Sequence, residues 1–162
     1  MFSPVTTQTP GPVFPQSSAW DRPGFVLWHA TLYWQRRVAE VLRPLALTHA
    51  QFTLLAGTVW LEAHGDGPPS QRELADHAGT DAMMTSQVAR VLERRELLQR
   101  ESDASDARVR RLRATTAGRR LAHKAVEVVE ALDDELFDLA DREQLLHSLR
   151  TFAGRDDTGE LV

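Results

Sequence analysis

The spacing of apolar residues changes several times along this chain, and each change marks an element. Residues 1–20 are rich in Pro, Thr, Ser and Gln and show no period, the pattern of a flexible arm. From 21 to 45, apolar bulk from Val26, Leu27, Leu32, Tyr33, Val38, Val41 and Leu42 accompanies a polar side of Arg36, Arg37 and Glu40. Asp21 and Pro23 open this predicted helix and Pro44 closes it. Thr48 and Gln51 have the spacing of a capping box, in which side chains and backbone N–H groups satisfy each other reciprocally. The helix that follows (Phe52, Leu54, Leu55, Val59, Trp60, Leu61) is apolar most of the way round, which predicts burial. Gly65 through Pro69 stops it.

Ser70 and Glu73 form a second capping box, opening a short helix to about His77. Gly79 makes a turn, and Thr80 is placed to cap a helix over Asp81–Arg95. Ala75 supplies the small residue needed where two helices cross. Leu97–Ser102 and Arg108–Ala114 read as strands joined by a polar turn at 103–106. Thr115 or Thr116 caps a long helix whose Leu121, Ala125, Val128, Val129, Leu132, Leu136 and Leu139 form a stripe. Asp141 caps a last helix, and 154–162 reads as a fraying tail. Two short helices followed by two strands is the order of a helix-turn-helix with a β-wing.

Charge sharpens that picture. The net charge is −4, which by itself argues against a polyanionic partner. Between Ser86 and Lys124, however, stand eleven Lys and Arg against five Asp and Glu, whereas the remainder has eight against eighteen. A basic patch on an acidic molecule both attracts and orients it on DNA. Lys124 is the only lysine, and arginine suits bidentate contacts to bases and phosphates.

Rotation at about 100° per residue sorts the second helix of the pair. Met84, Val88, Val91 and Leu92 share an inward face with Thr85 at its edge; Ala82, Met83, Ser86, Gln87, Arg90 and Arg94 lie opposite. Small, polar and basic residues suit a helix entering a major groove. Arg90 can pair with guanine, Gln87 with adenine, and Met83 can touch a thymine methyl, while Ser86 is permissive. Ser70 joins them as an expected DNA contact at the start of the preceding helix. In the wing, Arg108 is placed for a minor groove, and Arg110, Arg111 and Arg113 for phosphates. Asp106 is expected to accept a hydrogen bond that supports the wing.

These residues resemble the MarR family of bacterial winged-helix transcriptional regulators. The likeness runs from about Phe25 to Phe152. It is carried by Leu47–Phe52, Gln71–Gly79, Asp81–Val88, and Asp106 and Arg108 followed by Leu112 and Thr115–Gly118. Glu96 departs from it, standing where the family usually has glycine. The resemblance implies a mainly α fold with a small β-hairpin wing. A winged helix-turn-helix head (46–115) would be joined to N- and C-terminal dimerisation helices (21–45 and 116–153). It further implies a cytoplasmic homodimer that represses genes from a near-palindromic double-stranded operator and is released by a small aromatic or anionic ligand. The apolar stripes of the terminal helices exceed what one head can bury, which agrees with a dimer.

Trp28, His29 and Trp34, with Phe52, surround the region where such a ligand would fall. Aromatics and a histidine can hold an aromatic acid, although aromatics at helical spacing serve packing more often. No catalytic residue, metal site or cofactor is expected. There is no cysteine, no close histidine spacing for a metal, no phosphate-binding glycine loop and no nucleophile motif. No long apolar run or basic-plus-apolar leader is seen. The competing function is a winged-helix module that binds protein, but such a module would not need this concentration of arginine.

Overall fold

The computed structural model describes residues 18–103, 109–138 and 141–156. Among these lie six α-helices and a two-stranded antiparallel hairpin: α1 (Pro23–Leu42), α2 (His49–His64), α3 (Gln71–Ala78), α4 (Ala82–Arg94), β1 (Leu98–Ser102), β2 (Arg110–Ala114), α5 (Thr116–Leu136) and α6 (Arg142–Phe152). The mainly helical fold with a hairpin wing thus matches the reading of the sequence. Two compact units divide at Arg36. The first contains a 3-10 turn at Ala19–Asp21 and the start of α1. There Trp20, Phe25 and His29 gather, with ring centroids 4.4–5.1 Å apart.

The second unit is organised around α2. Both capping boxes form, Thr48 with Gln51 and Ser70 with Glu73. Because α2 is apolar nearly all round, it is covered from several directions, by α3, α4, α5 and β2. Leu54 and Leu55 from α2 join Leu74, Ala89, Leu92, Leu97, Leu98, Leu112, Ala114 and Ala122 in one core. A fully buried leucine contributes roughly 1.5–3 kcal/mol, so this shared cluster is a main contributor to holding α3, α4 and the hairpin together. Thr58 is buried within α2 because its hydroxyl donates to Leu54 O at 2.8 Å.

Two details differ from expectation. Asp81, rather than Thr80, caps α4: its carboxylate accepts from Met84 N at 2.8 Å. This frees the Thr80 hydroxyl to pair with Thr85 at 2.8 Å. That pairing explains the second difference. Thr85, placed at the edge by apolar rank, is completely buried with Ala89 and Leu92, whereas Met84 is 38% exposed. The inward face of α4 follows 85, 89 and 92, a polar residue being admitted because Asp81 O and Thr80 satisfy its hydroxyl.

The connections rely on special backbone geometry. Gly79 adopts φ 62° between α3 and α4. Glu96 holds the same left-handed region at φ 57°. Bonds from Glu96 N to Glu93 O (2.8 Å) and Leu97 N to Leu92 O (2.9 Å) complete a Schellman ending without glycine. At Gly118 the constraint is space, since a Cβ would collide with Leu97 O.

Glu96→Gly should relieve the left-handed strain and, after the greater chain entropy of glycine, stabilise the fold by up to about 1 kcal/mol, a melting increase of roughly 2–4 °C. Gly118→Ala should push α5 from the hairpin entry and lower stability by several-fold more. Chemical denaturation of the two variants beside wild type checks both signs.

Candidate nucleic-acid interface

The described residues bring the outer face of α4 and the base of the wing into the same unit. On α4, Ala82, Met83, Gln87, Arg90 and Arg94 are exposed and Ser86 is half-buried. Met83 is 72% exposed at the start of that face. Ser70 caps α3, its hydroxyl accepting from Glu73 N at 3.2 Å, and so lies close to α3's first turn.

The hairpin register pairs Leu98 with Ala114, Arg100 with Leu112 and Ser102 with Arg110. Alternation along a strand then places Leu98, Leu112 and Ala114 toward the core and Arg111 and Arg113 on the opposite face. The arginines therefore fall into two classes. Arg113 pairs with Glu101 at 2.7 Å, Arg100 with Glu93 at 3.0 Å and Arg119 with the buried Glu62 at 2.7 Å. Arg90, Arg94 and Arg110 have no carboxylate within ion-pair distance among the described residues, and Arg110 donates instead to the Ser102 hydroxyl at 2.5 Å. Their positive charge is uncompensated.

Arg111 departs from the expectation that it meets phosphate. Its Nε donates to the Asp103 carboxylate, and Nη1 donates to Pro68 O at 2.8 Å and lies 3.6 Å from Glu73 Oε2. With two carboxylates and a carbonyl around it, its guanidinium faces the protein. The Asp103 bond, followed by the charges of Asp103 and Glu73, raises its pKa further. Glu73 is held below the usual carboxylate range, first by the Ser70 backbone N–H and hydroxyl and secondarily by Arg111. Arg113's hydrogen bond likewise lowers the pKa of Glu101. Asp106 and Arg108, expected as wing support and wing-tip contact, lie outside the described residues.

Some contributors escaped the sequence reading. Asp103 was visible only as a turn residue. Arg95 donates to Ala46 O (2.8 Å) and Gln51 Oε1 (3.0 Å), tying the end of α4 to the start of α2. Glu62 accepts from Ala114 N at 3.1 Å across 52 residues of sequence. Each is a long-range partnership with no local period to announce it.

Residues 47–109 match the family model described as the MarR family. The chain is also 38% identical over 118 residues to the HTH-type transcriptional regulator YdcH of Bacillus subtilis (strain 168), covering 73% of this chain and 80% of that protein. The chain belongs to the MarR family. Its fold is similar to that of the transcriptional repressor CouR bound to a 23-mer DNA duplex, with TM-score 0.74, 28% identity, and coverage of 86% of this chain and 98% of that one. CouR from Rhodococcus jostii RHA1 bound to p-coumaroyl-CoA gives TM-score 0.73 at 26% identity, with 86% and 94% covered.

The four aromatic-site candidates of this MarR-family chain divide between the units. Trp28, His29 and Trp34 lie on α1 in the first, with Trp28 62% exposed and His29 in the ring cluster with Trp20 and Phe25. Phe52 is half-buried on α2 in the second. No group of three or more His, Asp or Glu able to hold a metal occurs among the described residues, and no described helix is long and apolar enough to cross a membrane.

Trp60 of α2 stacks with His64 and with His77, at 4.4 and 4.9 Å. Burial depresses the pKa of His77, with Arg155 adding to the effect, and burial alone depresses that of His49. The folded state then binds fewer protons than the unfolded chain below the ordinary imidazole value of about 6.5. The stability from these neutral imidazoles is present above that value and is lost as pH falls through the depressed folded values. Urea midpoints should drop between pH 7.5 and 5.5 in wild type and drop less in His49→Gln/His77→Gln; an equal drop would exclude these histidines as the cause.

Proposed function

We propose that this MarR-family protein is a sequence-specific double-stranded DNA-binding repressor, acting in the cytoplasm as a homodimer on a near-palindromic operator. The observation that carries this reading is the distribution of unpaired charge. Arg90 and Arg94 on α4, together with Arg110 on the wing, are left without carboxylates while neighbouring arginines are neutralised. Such a surface is complementary to a polyanion. Between the two α4 arginines and the helix start stand Met83, Ser86 and Gln87, able to make apolar and hydrogen-bonding contacts with base edges. Arg90 and Gln87 are the base-reading residues, Met83 and Ser86 fit around them, and Ser70, Arg94 and Arg110 hold phosphates. Arg108 enters a minor groove, with Asp106 supporting the wing.

A homodimer is supported by apolar surface on the terminal helices. α6 buries none of its residues, while Leu146, Leu149 and Phe152 are exposed. Along α1 only Val38 and Leu42 are buried. Two heads would then read half-sites about one helical turn, roughly 34–36 Å, apart. CouR, whose structures include a DNA complex and a p-coumaroyl-CoA complex, supports release by a small aromatic or anionic effector. Trp28, His29, Trp34 and Phe52 are the residues proposed to meet it. Such a ligand acts only by favouring one head arrangement over another.

Fluorescence anisotropy on DNA flanking the protein's own gene, against scrambled duplex across a salt series, is the decisive test. Specific binding should fall steeply with salt, each phosphate contact contributing about 0.9 to the logarithmic slope. Gln87→Ala or Arg90→Ala should remove roughly 1–3 kcal/mol of discrimination between specific and scrambled DNA. Arg108→Ala should weaken both and flatten the slope. Equal, weak binding to both duplexes by a confirmed dimer would instead favour a protein partner for this face.

A further inference from the structure

We propose that Arg111 is a positioning residue that locks the outer end of the hairpin ladder to the start of α3, so that wing and recognition helix meet DNA as one body. This inference rests on the DNA-binding reading above for its functional consequence, although its mechanical part stands on the contacts alone.

The hairpin is short. Beyond its core-facing side chains, what fixes its angle is a seam along β2. Leu112 N donates to Pro69 O at 2.8 Å, and Ser70 pairs with Arg111 as an isolated antiparallel bridge. The segment 68–70 therefore runs beside β2 as a rudimentary third strand. Arg111 sits in the middle of that seam and reaches three separate pieces of chain: Asp103 beyond the end of β1, the Pro68 carbonyl, and Glu73 in the first turn of α3. Glu73 Oε2 is the same atom that accepts from Ser70 N at 2.6 Å, so one carboxylate both caps α3 and engages the wing. The Asp103 side chain is only 8% exposed, which excludes most of the water that would otherwise screen the pair.

Leverage makes this contact matter. A five-residue strand is about 17 Å long at roughly 3.3 Å per residue, so a tilt of about 10° at its base displaces the far end by about 3 Å. That exceeds the tolerance of a hydrogen bond to phosphate. Arg111 also sets Asp103 and Glu73 against a cation.

A lock and a phosphate contact predict opposite results. The duplex is the tightest binder selected by wild-type protein from a random library. Arg111→Met, Asp103→Asn and the double variant are compared by anisotropy at several salt concentrations. Arg111→Lys serves as the conservative variant. A lock predicts that both single variants weaken binding by about tenfold or more, that the double variant is no worse than the weaker single, and that the salt slope is unchanged. Lysine should restore only part, because it cannot serve Asp103 and Pro68 O together. A phosphate contact predicts a slope smaller by about 0.9 in Arg111→Met and tighter binding by Asp103→Asn, which frees the arginine and removes a repulsive charge. Either of those results, or unchanged affinity in both variants, overturns the proposal.

Amide exchange separates the lock from the DNA reading. In free protein, exchange of the Leu112 N–H should quicken in Arg111→Met while the Leu55 and Leu92 amides stay protected. If wild type selects no duplex but Leu112 exchange quickens, the DNA reading fails and the lock remains. If Leu112 exchange is unchanged, the lock itself is wrong.

Discussion

The constraint on which the second unit depends is the covering of α2. A helix apolar on nearly every side cannot lie on a surface; it must be enclosed. Here α3, α4, α5 and β2 enclose it, and no layer is independent of the others. Leu92 fixes α4 by its inward face, Leu74 fixes α3, and Leu112 and Ala114 fix the wing, all in one cluster. The outward direction of Gln87, Arg90 and Arg94 is a by-product of that enclosure. A proposed reading surface is oriented by residues that never touch what is read.

Electrostatics adds a second layer of order. The arginine-rich stretch is not a uniform positive surface. Glu93, Glu101, Asp103 and the distant Glu62 neutralise Arg100, Arg113, Arg111 and Arg119 respectively. These pairs stitch β1 to α4, strand to strand, and α5 to α2. Arg90, Arg94 and Arg110 have no carboxylate partner among the described residues. The part-exposed pairs Arg113–Glu101 and Arg100–Glu93 contribute little stability each; the larger effect of the set is to fix geometry and to decide which cations remain available.

Much of the architecture was legible in local signals. The two capping boxes, the positive-φ glycine at 79 and the Thr115 and Asp141 caps depend on residues within a few positions of one another, so they could be read directly. The α4 face was read less well. Apolar rank favoured Met84 inside, but burial of Thr85 depends on a hydroxyl partner at Thr80 that hydrophobicity scales do not register. Glu96 departs from the family pattern, yet the backbone bonds to Glu93 O and Leu92 O keep the left-handed ending the family uses glycine for.

By itself, the sequence determined the order of helices and strands, the winged helix-turn-helix class and the concentration of arginine between Ser86 and Lys124, because periodicity, caps and charge density are properties of neighbouring residues. Only the tertiary structure decided which arginines are free. Arg110 and Arg111 are adjacent and chemically identical, but strand alternation sends them to opposite faces, and one meets Ser102 while the other meets Asp103 and Glu73. That difference arises from strand register and from the approach of residues 68–73 to β2. Neither can be computed from spacing, since both follow from how distant segments close around α2.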